Sequence, residues 1–212
     1  MLSCCEVRGM LGLPKSTEVN RRVAKEKIYA KANISPQLKD MIKDHVEAIY
    51  WRNKLAEDTL NVGAGESVEE LQVFEARLRQ RKLDKKVLSA IKKSIPYKIL
   101  FVLTYEEEAQ LWIEAEGVFY HTDWQQLEGY QIRFRGIDLD AVYENLVRQV
   151  SGDRLGVEES IEEAVERDKQ RGKIEREINM LEKKIKQEKQ FNIQVELNAR
   201  IKRLRIILEV YE

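Results

Sequence analysis

Cysteine, histidine, proline and glycine are all scarce in this chain, and each shortage removes a class of explanation. Of 212 residues, two are Cys, three Pro, ten Gly and two His. Cys4 and Cys5 are adjacent, so their spacing supports neither a disulfide framework nor a paired-thiol metal site. With only His45 and His121, a Ser-His-Asp or Cys-His centre would have to use one of them. His45 falls on the apolar stripe of an expected helix, where a packed histidine is the ordinary case. His121 has Asp123 two residues on, but two potential ligands do not make a metal site. Scarce Pro and Gly argue against disorder and for a helix-rich chain. No apolar run approaches the roughly 18 residues that a membrane span needs, and the mean hydropathy is -0.52. Glu6 and Arg8 interrupt any signal-peptide core before Met10, so a cytoplasmic chain is expected, with residues 1–9 a tail ahead of a second possible start at Met10.

What is present is punctuation and periodicity. A helix is expected over Thr17–Ala32, and a second from Ser35, which can cap, through Pro36 to Leu55, with Leu38, Met41, Ile42, His45, Val46, Ile49 and Tyr50 at helical spacing. Gly63 and Gly65 mark a turn before a strand at Leu71–Leu78. Asp84 caps a short helix carrying Val87, Leu88 and Ile91. The unbroken run Ile99-Leu100-Phe101-Val102-Leu103 reads as a strand buried on both faces. Alternating patterns predict further strands over Ala109–Ala115, Val118–Thr122 and Tyr130–Arg135, and a helix over Asp138–Val150. The expected fold class is α+β: a mostly antiparallel sheet of four or five strands covered by helices over residues 10–150. A linker at 151–156 then leads to a long helical or coiled-coil segment over 157–212. Ile174, Ile178, Leu181 and Ile185, and later Leu197, Ile201, Leu204 and Leu208, form its apolar seam, which drifts between the two halves. A bend over Gln190–Gln194 would turn it into a hairpin, but the absence of Gly and Pro there favours one continuous helix, on the order of 80 Å long at about 1.5 Å per residue.

Net charge is also missing, since 37 basic residues meet 37 acidic ones, yet the layout is uneven. Residues 1–98 hold 20 basic and 13 acidic residues, 99–168 hold 5 and 17, and 169–212 hold 12 and 7. The densest basic stretch contains Arg77, Arg79, Arg81, Lys82, Lys85, Lys86, Lys92 and Lys93, with Lys98 beyond them and Asp84 as the sole acid. Such a run calls for solvent, an internal acidic partner, or nucleic acid, whose phosphates would release counterions on neutralisation. Lys15, Arg21, Arg22 and Lys25 are candidates to join it. Gly63-Ala64-Gly65-Glu66-Ser67 lacks the Lys-Ser/Thr ending of a phosphate loop and reads as a turn. A metal-dependent nuclease using Glu75 and Glu114 is the weakest alternative, because the strand reads Glu75-Ala76-Arg77 where a lysine is usual and arginine does not titrate. No catalytic residue, metal ligand or cofactor is assigned.

Gly12-Leu13-Pro14-Lys15-Ser16-Thr17-Glu18-Val19-Asn20, Ile49-Tyr50-Trp51-Arg52-Asn53-Lys54-Leu55 and Gln72-Val73-Phe74-Glu75-Ala76-Arg77-Leu78 resemble a bacterial family of uncharacterised proteins known as domain of unknown function 4391. Leu139-Asp140-Ala141-Val142-Tyr143-Glu144-Asn145 and Glu188–Asn198 carry the same resemblance, which runs from Met10 to near the C-terminus. It brings no catalytic residues. It implies a setting near restriction-like helicases and DNA methyltransferases in defence loci. The expected function is therefore a non-enzymatic accessory subunit of a bacterial DNA-processing or phage-defence system. The C-terminal seam would dock it on a protein partner, such as a helicase or methyltransferase subunit, or on a second copy. Direct nucleic-acid binding through residues 77–98 is the alternative.

Overall fold

The computed structural model describes residues 12–127, 131–156 and 158–211. Cys4, Cys5, Met10, Tyr130 and Val157, which figure in the sequence reading, lie outside them. The chain divides into two compact units, Met1–Asp153 and Arg154–Glu212.

The first unit is built on a mixed sheet of seven strands: β1 (Glu18–Val23), β2 (Val46–Leu55), β3 (Leu71–Leu78), β4 (Lys98–Tyr105), β5 (Glu108–Ala115), β6 (Val118–His121) and the two-residue β7 (Gln125–Gln126). The first six lie side by side in chain order, and β7 pairs with β5. All neighbours are antiparallel except β3 and β4, which run parallel from Leu71↔Lys98 to Arg77↔Thr104. The sheet is thus larger than four or five strands, and mixed. A helix, α3 (Lys85–Lys93), connects the parallel pair, because parallel neighbours need a crossover rather than a hairpin.

Two expected helices are corrected. Residues 17–32 form β1 and then α1 (Lys25–Ala32), and the second helix stops early, as α2 (Pro36–His45), before passing directly into β2. Ser35 caps α2 as expected, its hydroxyl accepting from Leu38 N. The misleading helical spacing of Val46, Ile49 and Tyr50 comes from register shifts between Val46 and Ala48 and between Trp51 and Asn53. Bulges of this kind break the two-residue period that would otherwise betray a strand. Residues 131–135, expected as a strand, form none.

One face of the sheet presents Ile49, Phe74, Ala76, Leu78, Phe101 and Leu103 to Ile28, Ile42, Val87, Leu88 and Ile91 of the helices α1, α2 and α3, all buried. The alternating residues Leu71, Val73, Leu100, Val102, Leu111 and Ile113 are buried on the other face. The helix α4 (Leu139–Ser151) contributes buried Leu139, Val142, Leu146 and Val147. Burial on both faces explains why β4 reads as a continuous apolar run. Asp84 and Asp138 cap α3 and α4, each carboxylate accepting a backbone N–H at 2.8 Å; such caps contribute about 1 kcal/mol each.

The second unit contains α5 (Ile161–Gln187) and α6 (Phe191–Leu208). Ser160 and Glu163 form a capping box at the start of α5. The favoured continuous helix is corrected: the chain turns at Glu188–Gln190 and α6 packs back on α5 as a helical hairpin. No Gly or Pro is needed, because the Glu188 carboxylate takes the N–H groups of Lys189 and Gln190 at 2.8 and 2.9 Å. The break lets the drifting halves of the seam face each other, with Ile178 and Ile201 buried and ion pairs Glu177–Arg200 and Glu182–Arg205 across the helices. No helix among the described residues is long and apolar enough to cross a membrane.

Candidate nucleic-acid interface

The amphipathic pattern of α3 sets the basic surface. Val87, Leu88, Ala90 and Ile91 anchor one side of the helix in the core, which turns Lys85, Lys86 and Lys93 outward. Arg79 and Lys82 are exposed on the connection from β3. None of these five cations has a carboxylate partner among the described residues. The other three residues of the basic stretch are already committed. Arg81 Nη2 meets Glu108 Oε1 at 2.8 Å and its guanidinium lies 5.7 Å from the Trp124 ring centre. Lys92 pairs with Glu114. Arg77 is held by Glu75, its Nε 2.8 Å from Oε1.

Lys25 lies at the start of α1, where its ammonium donates to the Val46 carbonyl. Burial lowers its pKa, and the positive charge of Arg79 lowers it further.

Glu75 is fully buried and its carboxylate is saturated. Arg52 reaches Oε2 through Nε at 2.5 Å and through Nη2, while Arg77 Nε and the Thr104 hydroxyl, at 2.8 and 3.2 Å, occupy Oε1. An ionised carboxylate offers about four lone-pair sites, so these donors leave none for a metal. The two guanidinium carbons flank the Tyr50 ring at 4.5 and 4.9 Å from its centre, and Arg52 Nη1 also donates to Asn20. This is a locked internal network. Glu114 cannot share a site with Glu75: the register Phe74↔Phe101↔Trp112 puts Glu114 on the Phe74 face, and Glu75 points the other way. Among the described residues, no group of three His, Cys, Asp or Glu side chains is placed to hold a metal ion. The His121 ring lies 4.3 Å from Trp112 between centres, tilted by 30°, with the Thr122 carbonyl 3.0 Å from Nδ1. His45 sits at the end of α2, where its carbonyl accepts from Arg79 N at 2.8 Å.

The glycine-bearing turn does bind an anion, one that the chain itself supplies. Backbone N–H groups of Glu66 and Val68 donate to the Asp140 carboxylate at 2.8 Å, and Ser67 N lies 3.2 Å from both oxygens.

The family model described as Domain of unknown function (DUF4391) matches residues 11–208. The chain belongs to this family. No curated protein and no solved structure matches it.

In this DUF4391 chain, the eight seam residues expected at a partner interface differ in burial. Ile178 and Ile201 are buried, and Ile174, Leu181, Ile185, Leu197, Leu204 and Leu208 are half-buried. The apolar side chains that remain exposed on the hairpin are others: Met180, Phe191, Val195, Ile206, Ile207 and Val210. The structure also forms a cleft of about 390 Å³ beside β1, which places Lys27, Lys31, Trp51 and Tyr97 near Arg21 and Arg22. Reading residues 17–32 as one helix hid it. The usable signal was the pair Lys27 and Lys31, one helical turn apart.

Proposed function

We propose that the chain is a non-catalytic nucleic-acid-binding protein that grips a phosphate backbone with Arg79, Lys82, Lys85, Lys86 and Lys93. The observation that carries this reading is that these five cations, on and beside one helix, are exposed and unmatched by carboxylates among the described residues. A sheet packed on both faces holds that helix in place, so the charges are presented from a rigid base. Backbone recognition of this type gives affinity without sequence preference and weakens steeply with salt. The role agrees with an accessory subunit in bacterial DNA processing or phage defence, the setting the family resemblance implies. Fluorescence anisotropy with a labelled DNA duplex across a salt series tests it. Binding at low salt should weaken in Arg79→Ser/Lys82→Ser/Lys85→Ser/Lys86→Ser, with the slope of log K against log salt falling by about 0.9 for each phosphate that is no longer neutralised. No binding at low salt overturns it.

A second reading, docking onto a protein partner or a second copy, is favoured by the exposed Phe191 and Val195, which are 74% and 50% accessible and one turn apart on α6. Large apolar side chains grouped on a surface mark interaction sites. Light scattering on the full chain and on Phe191→Ser/Val195→Ser tests the self-association version; monomers in both cases leave only a different protein as the partner.

A further inference from the structure

The cleft beside β1 combines two kinds of wall. Arg21 and Arg22 on the edge strand and Lys27 and Lys31 on α1 bring four exposed cations to its lining, and no carboxylate among the described residues lines it. Its apolar surfaces come from Val23, Ile28, Trp51 and Phe74, together with Ile95-Pro96-Tyr97 just beyond α3. Trp51 and Phe74 lie parallel, 6.4 Å apart between ring centres. Gln72 also lines the cleft; its amide nitrogen is committed to Glu70, which leaves its carbonyl oxygen as an acceptor. A volume of about 390 Å³ is within the range of roughly 300–1,000 Å³ that holds small-molecule ligands.

From these features we propose that the cleft is a binding site for a single nucleotide unit: a phosphate among Arg21, Arg22, Lys27 and Lys31, and a base against the apolar wall that includes Trp51 and Tyr97. The phosphate follows from four exposed cations with no carboxylate partner among the described residues, since such a cluster gains most from a ligand carrying concentrated negative charge. The planar group is required by the aromatic surfaces, which a bare phosphate would leave wet and which stack on any base with little sequence preference. Gln72 adds a hydrogen-bond acceptor suited to an exocyclic amine. The ligand chemistry is shared by a free nucleotide and by one residue of a single strand. The inference extends the nucleic-acid reading to a second site, and it stands on side chains that take no part in the α3 surface.

Isothermal titration of the full chain with adenosine monophosphate, ribose 5-phosphate, inorganic phosphate and a short 5′-phosphorylated single strand tests it. Saturable binding of the mononucleotide is expected, weaker by about tenfold or more for ribose 5-phosphate and for phosphate, a factor that corresponds to about 1.4 kcal/mol. Lys27→Ser/Lys31→Ser and Tyr97→Ala should each reduce it, whereas Lys85→Ser/Lys86→Ser should not. Tyr97 is 37% exposed, so its loss tests the apolar wall without opening the core. A strand that binds more tightly than the mononucleotide identifies single-stranded nucleic acid as the source, and the reverse order identifies a free nucleotide. Phosphate binding as tightly as the nucleotide, no binding of either nucleotide form, or indifference to both cleft variants overturns the proposal. Duplex binding through α3 is scored separately with the same variants. A protein that binds nucleotide but not duplex keeps the cleft and loses the α3 surface, and one that binds only duplex does the opposite.

Discussion

Arg52 and Glu75 meet on neighbouring strands inside the sheet, Nε 2.5 Å from Oε2, with both side chains almost fully removed from solvent. Glu75 needs these guanidinium donors and that of Arg77, because an unpaired buried ion costs several kcal/mol while a matched one is close to neutral against apolar packing. Arg77 stays on Glu75 when Arg52 is removed, so Arg52→Met should destabilise the protein by about 1.5–3 kcal/mol, the worth of hydrogen bonds to a charged group. Arg52→Met/Glu75→Leu should recover part of that loss. Urea unfolding of the singles and the double checks it; strictly additive losses would show that the two residues are not coupled.

Gly65 faces Asp140 so closely that an added Cβ would lie 2.4 Å from the carboxylate carbon and 2.7 Å from the Asp140 backbone nitrogen. Gly65→Ala should cost about 1–3 kcal/mol through overpacking. Asp140→Ala removes the acceptor of three backbone N–H groups and should cost about 1–2 kcal/mol. Because the backbone clash persists without the carboxylate, the double variant should melt below either single one. A double that matches Gly65→Ala would mean that the turn does not depend on the carboxylate.

The lowered pKa of Lys25 has a definite sign for stability. Between the lowered folded value and the ordinary lysine value, the unfolded chain binds more protons than the folded one, so this group's contribution to stability rises with pH across that window. Below the window both states are charged and the penalty of holding the partly buried ammonium is present in full. Burial is the larger cause and Arg79 the next, so Arg79→Ser should raise the Lys25 pKa part of the way back. Titration of the Lys25 ammonium by nitrogen-detected NMR measures this, and an unmoved value would remove Arg79 as a cause.

Ile178 and Ile201 are the buried members of the seam in the C-terminal hairpin. Truncating either to Ala should cost about 2–5 kcal/mol if the surroundings do not collapse into the space. Hydrogen exchange should then accelerate in α5 and α6. Unchanged protection in both helices would contradict the hairpin.

Elements with a clean period are legible from the residues: α3 behind its cap Asp84, α4 by its helical spacing, and β4 as a doubly buried run. Over Val46–Leu55, two bulges give a strand the spacing of a helix. The parallel pairing of β3 and β4 was encoded in the strand–helix–strand order. An antiparallel expectation, natural for hairpins such as β4–β5, overrode it. At Glu188 a side chain, rather than Gly or Pro, satisfies the backbone at the break, and composition does not register that. The basic stretch was legible as charge, but Arg77, Arg81 and Lys92 meet their acids only through folding. The cleft depends on a strand and a helix read as one element.

Glu18–Val23 is the outermost strand on its side of the sheet, and its pairing slips between Glu18 and Arg21, where Asn20 adopts a left-handed backbone with φ of 49°. Flat, uncharged borders invite another molecule to add its own strand and grow fibrils, whereas a kinked border bearing Arg21 and Arg22 resists that growth. The slip that conceals this strand from a reader of the residues also protects the protein against polymerising through its open side.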